Sequence, residues 1–172
     1  MIREVITYPN KLLRTKSEDV MEFNEELHTL LDDMYETMVD QSGVGLAAIQ
    51  VSIPLNILII SIPDENDVQN KEELIEAINP VITHKDGEQV FTEGCLSVPG
   101  FHEDVKRAQH IIVEYFNRNG EKQTMECEDF LAVAWQHEME HLEGHLFIEN
   151  LSFLKRKKFE KEWKRRLKDK KK

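Results

Sequence analysis

The sequence predicts an α+β fold: antiparallel strands packed around a central buried helix carrying the pattern H-E-x-x-H, with a basic helix at the C-terminus. Three observations lead there. Short apolar runs are separated by turn signals rather than by crossover helices, which favours hairpin pairing. The run Phe130-Leu131-Ala132-Val133-Ala134-Trp135 is apolar on every side of a helix, which suits a helix inside the molecule. Residues 151–172 hold 12 Lys and Arg against 3 Asp and Glu. The length of 172 residues suits one domain, with 1–150 as its body and 151–172 as a basic helix or tail of the same unit.

The elements follow in order. Residues 24–41 read as a helix, because Leu27, Leu30, Leu31, Met34, Met38 and Val39 recur at helical spacing. Asn24 is its N-cap, with Glu25 and Glu26 in the first turn. Gly43 and Gly45 open the segment "GVGLAAIQ". A strand is expected over 55–61 and a polar surface loop over 63–73. Residues 81–83 and 89–91 flank "HKDGE", predicting a hairpin through Asp86-Gly87. His110–Phe116 is a further strand, turned back by Asn119-Gly120 into one around Thr124 and Met125. Asp129 is expected to cap a helix running to about Glu143, stopped by Gly144. From Ser152 a last helix places Phe159, Trp163 and Leu167 on one narrow apolar stripe.

Composition narrows the function classes. The apolar fraction is 40%, and no run approaches a membrane span. The N-terminus "MIREVITYPN" lacks a hydrophobic targeting core, so a cytoplasmic location is expected. Two cysteines do not suggest a disulfide scaffold. The net charge of −11 divides into +9 for residues 151–172 and −20 for the rest, so the tail is expected either to meet an anionic partner or to be a solvated face.

The chemistry lies in "WQHEMEHLEGH". His137 and His141, one helical turn apart, project from the same face, and Glu138 beside them can reach a water on a bound ion. Two imidazoles need a third ligand. A histidine at 147 is excluded, because that position is Phe. His145 lies beyond the expected helix stop. A carboxylate from the downstream helix is disfavoured, because that helix is basic. Cys95, in the Gly- and Pro-bounded loop "TEGCLSVPG", and Cys127, between Glu126 and Glu128, are the thiol choices. The two acidic neighbours of Cys127 oppose thiolate formation.

"GVGLAAIQ" at 43–50, "EGCLSVP" at 93–99 and "QHEMEHLEG" at 136–144 resemble the three motifs of peptide deformylases, in the same order and over nearly the whole chain. Two positions depart from the family pattern: Ile49 stands where proline is usual, and Glu140 where aspartate is usual. The resemblance implies hydrolysis of the N-formyl group from nascent formyl-methionyl peptides, releasing formate. It implies Cys95, His137 and His141 as ligands of one divalent ion per chain, Fe2+ natively, with Zn2+, Ni2+ or Co2+ able to substitute. It makes Glu138 the proton carrier and the Gln50 amide and Leu96 N–H the oxyanion donors. Val44, Gly45 and the segment Glu93-Gly94 before Cys95 would line the peptide's path. Phe91, Phe130, Val133 and Ala134 are candidates for an apolar methionine pocket or for plain core. Glu93 and Arg107 are expected to pair as a brace behind the ligands, and His102 stands where many relatives carry a substrate-contacting Arg. The partner expected for the basic helix is the ribosome. The competing readings are an H-E-x-x-H metallopeptidase with a different third ligand, and a non-catalytic ribosome- or nucleic-acid-binding protein.

Overall fold

The computed structural model describes residues 1–170. Its core is a five-stranded antiparallel sheet in the order β1-β2-β3-β6-β7: β1 Gly45–Ala47, β2 Ile57–Ile60, β3 Ile75–Asp86, β6 His110–Phe116 and β7 Lys122–Glu128. A separate hairpin joins β4 Gln89–Cys95 to β5 Val98–Arg107. The helices are α1 Glu25–Asp40, α2 Asp129–Leu142 and α3 Phe153–Lys170.

Strand β2 explains the layering. All four of its residues are fully buried, as expected for a strand covered on both faces. Ile57 and Ile59 pack with Leu31, Met34 and Met38 of α1, whereas Leu58 and Ile60 pack with Ala132 and Trp135 of α2. The sheet is therefore sandwiched between α1 and α2. A third apolar cluster joins Val98, Phe101 and Val105 of β5 to Phe147, Leu151 and Phe159.

Most expected elements form. Asn24 caps α1 by accepting from the Leu27 N–H. The β6–β7 hairpin forms in the expected register, with His110 opposite Glu128. Helix α2 stops at Gly144 (φ +81°), where His145 N–H donates to the Glu140 carbonyl and Gly144 N–H to that of His141. This double bond pattern needs a left-handed residue, and glycine adopts it without strain.

Three expectations are corrected. The Asp86-Gly87 dipeptide does not close a β3–β4 hairpin. Strand β3 pairs with β2 and β6, while β4 pairs only with β5. The turn at Gly87 (φ +69°) carries the chain from one sheet to the other. Asp129 is the first residue of α2 rather than its cap, and its carboxylate accepts from the Gln109 side chain. The stripe of α3 is graded: Phe159 is 1% exposed and Trp163 half-buried, but Leu167 is 41% exposed. Lys171 and Lys172 of the basic tail lie outside the described residues.

Candidate active site

α2 brings three chemical groups to the inner end of a cleft of about 480 Å³. Its apolar first turns bury Ala132, Ala134 and Trp135 against the sheet, so the residues that follow are carried into the interior. His137, Glu138 and His141 are 8%, 5% and 0% exposed. Strand β4 ends at the same place and delivers Cys95. Its Sγ lies 3.3 Å from His141 Nε2, and one donor atom each from Cys95, His137 and His141 falls within 4.8 Å of the others.

The surroundings fix these groups. Glu93 Oε1 lies 2.8 Å from His137 Nδ1, so the opposite ring nitrogen, Nε2, is the one presented to the site. Arg107 grips Glu93 with two bonds of 2.7 and 2.8 Å and also pairs with Glu140. Glu140 in turn accepts from Asn150. Both oxygens of Glu93 are thereby engaged, which supports the brace expected of it rather than a substrate contact. Burial opposes the charged form of His137, but hydrogen bonding to Cys95 and Glu93 prevails and raises its pKa. Burial, followed by the charge of His137, lowers that of His141. Burial pushes Glu138 up to about 7, in the range that suits a group that takes and returns a proton.

Gln50 stands opposite α2. The Ala47 N–H donates to its Oε1 at 2.9 Å, which turns Nε2 toward Ser97 Oγ at 3.1 Å and Cys95 Sγ at 3.6 Å. Ser97 donates onward to the Ile6 carbonyl. Gly45 is glycine for a steric reason: a Cβ there would lie 2.8 Å from Glu138 Oε1. At Gly94 a Cβ would meet the His102 ring at 2.5 Å.

The cleft also gathers Val44, Gly45, Phe91, Gly94, Leu96, Phe130, Val133 and Ala134. The rings of Phe91 and Phe130 are 5.0 Å apart and form its apolar wall. His102 reaches it too, as do Gln41, Ser42, Thr92, Pro99 and Gly100, which sequence reasoning did not single out. Ser97 was also missed, although it lies inside the second motif. The rival ligands fall elsewhere. His145 is on the surface, 2.8 Å from Glu149. Cys127 is buried in the core beside Tyr115 and Trp135. Burial, then the neighbouring Glu126, pushes its thiol up to about 11. Of the two departures from the motif pattern, Ile49 is packed in the core and Glu140 braces Arg107 without reaching the three donors.

One thiol and two imidazoles suit one divalent ion with a coordination position left open. Two buried atoms lack partners at this place, Glu138 Oε2 and His141 Nδ1. The Glu138 atom is where a water on such an ion would find its acceptor. A cleft, an open ion position and a buried carboxylate beside it are the makings of a metal-dependent hydrolase.

Comparison with known proteins narrows the class. The polypeptide deformylase family profile matches residues 2–157. A peptide deformylase of Campylobacter jejuni is 59% identical, covering 100% of this chain and 99% of its own. One from Nautilia profundicola is 53% identical, covering 99% and 98%. Among solved structures, a peptide deformylase from Legionella pneumophila superposes with a TM-score of 0.88 at 38% identity, covering 98% of both chains. One from Ehrlichia chaffeensis in complex with actinonin gives 0.87 at 34%, covering 96% and 97%. The chain belongs to the polypeptide deformylase family. Its activity is the metal-dependent hydrolysis of the N-formyl group of newly made polypeptides.

Proposed function

We propose that Cys95, His137 and His141 hold the ion, that Glu138 moves the proton, and that the Gln50 amide and the Leu96 N–H receive the developing oxyanion. The single observation that carries this reading is the convergence of three donor atoms within 4.8 Å beside a buried carboxylate with an unpartnered oxygen. A divalent ion held by these three residues would supply Lewis-acid polarisation of the formyl carbonyl and a water of pKa about 7. Glu138 takes the proton of the attacking water through Oε2 and returns it to the departing amine, leaving formate and a free N-terminus. As the formyl carbon becomes tetrahedral, charge grows on its oxygen. Gln50 is pre-aimed for that oxygen, because Ala47 already fixes its carbonyl end. Val44, Gly45 and Gly94 flank the peptide, and Phe91, Phe130, Val133 and Ala134 receive the unbranched methionine side chain. Glu93 acts through His137, not on the substrate.

Fe2+ is the native ion in this reading, with Zn2+, Ni2+ or Co2+ able to replace it, since thiolate and imidazole suit all four. Residues 1–150 and 151–172 form one domain, supported by the packing of Phe159 on Tyr8 and Phe101. The exposed basic face of α3 docks on ribosomal RNA. The enzyme works in the cytoplasm, where new chains emerge; among the described residues no helix is long and apolar enough to cross a membrane.

The ligand set is tested with paired variants loaded with nickel, which avoids oxidation of ferrous iron. Cys95→Ser should lose most of its metal on dialysis against a mild chelator, together with formate release from formyl-Met-Ala, because a hydroxyl is a far poorer ligand than a thiolate. His145→Ala should keep both. The opposite pattern would remove Cys95 from the centre.

A further inference from the structure

We propose that His84, Asp86 and His110 form a second, peripheral site for a borderline divalent transition-metal ion, with Zn2+ as its probe. The three residues come from adjacent strands of the rigid sheet. His84 and Asp86 are two apart on β3, and Asp86 stands directly opposite His110 on β6. One carboxylate oxygen, Asp86 Oδ2, lies 2.5 Å from His84 Nε2 and 2.7 Å from His110 Nδ1. One donor atom from each residue falls within 4.8 Å of the other two. On the far side Glu126 Oε1 lies 2.6 Å from His110 Nε2. Glu128 faces His110 across the β6–β7 ladder and completes an overlapping cluster.

This place is separate from the catalytic cleft. In β6, Ile111 and Val113 face α2, so His110 and Ile112 lie on the opposite side of the sheet. Exposed carboxylates alone attract cations diffusely. Two imidazoles converging on one carboxylate oxygen give the cluster direction and chemical preference. Nitrogen donors select zinc, nickel, cobalt or copper over magnesium and calcium, which take oxygen. His84 and Asp86 are half exposed, so an ion can enter from solvent and keep water in its remaining positions.

The test uses the full chain with nickel at its catalytic centre, dialysed against buffer holding micromolar free Zn2+. Nickel and zinc are then counted together by mass spectrometry. Wild type should approach two ions per chain. His84→Ala and His110→Gln should stay near one, because losing a ligand weakens binding at least about tenfold. Both should deformylate formyl-Met-Ala at the wild-type rate. Zinc should also raise the melting temperature of the nickel enzyme in wild type and not in the variants, since an ion that binds only the folded chain stabilises it. One ion per chain in wild type would overturn the site. So would two ions in both variants, which would put the second ion elsewhere.

Discussion

Helices α2 and α3 dispose of charge in opposite ways. α2 turns it inward: Glu138 and His141 are buried, and Arg107 and Glu93 are packed beside them. α3 turns it outward: Lys157, Lys161, Lys164 and Lys168 lie on its exposed face, and Phe159 is its fully buried anchor. The inward groups must find partners or be left unsatisfied, and of the unsatisfied side-chain atoms of α2 one, Glu138 Oε2, lies at the reaction centre. The outward groups need no partners. A substitution around α2 should therefore act through stranded charge, and one in α3 through lost apolar area.

The largest effect on stability is expected at Arg107. Arg107→Leu leaves the buried Glu93 carboxylate without its counter-charge and should cost about 3–5 kcal/mol in chemical denaturation, the range for breaking a buried pair from one side. A loss below about 1 kcal/mol would mean that this carboxylate does not depend on Arg107, and the contrast with α3 would dissolve.

Phe159→Ala should cost nearly as much, about 3–5 kcal/mol, because a fully buried ring leaves a cavity against Tyr8 and Phe101. Leu167→Ala, at an exposed position, should stay within about 0.5 kcal/mol. Equal losses at the two positions would contradict the graded stripe.

The smallest effect on the fold is expected from replacing Lys157, Lys161, Lys164 and Lys168 together by Gln. Melting temperature and turnover of formyl-Met-Ala should not change. Ribosome binding should lose about one unit of salt slope for each lysine that meets a phosphate. Binding that is unchanged and insensitive to salt would return this face to simple solvation.

The helices were legible because their signals are local. The cap at Asn24, the spacing of α1, the apolar first turns of α2 and the stop at Gly144 each involve neighbours in sequence. The choice of strand partner is not local. Asp86-Gly87 encodes a reversal but not what the reversed strand will pair with. β3 runs between β2 and β6 in the large sheet, while β4 pairs with β5 and ends at Cys95. β1 is only three residues long, and β5 contains Pro99, Gly100 and two adjacent charged pairs, Glu103-Asp104 and Lys106-Arg107, so neither carries a strand signature. In the site, the H-E-x-x-H residues stood out by their spacing, whereas the choice of Cys95 among the candidate third ligands rested on the resemblance of the three motifs. The geometry that aims Gln50 was not legible, since it depends on the Ala47 amide and on Ser97, whose side chain reaches back to Ile6.

The central claim is that Glu138 carries the proton and does not hold the ion. Glu138→Ala, loaded with nickel, tests it by metal analysis and formate release on the same sample. The account predicts one ion per chain at the catalytic centre, as in wild type, and a fall in kcat of about 10²–10⁴-fold, the range for losing general acid–base assistance. A variant that keeps more than about a tenth of the wild-type rate, or that loses its ion, would contradict it.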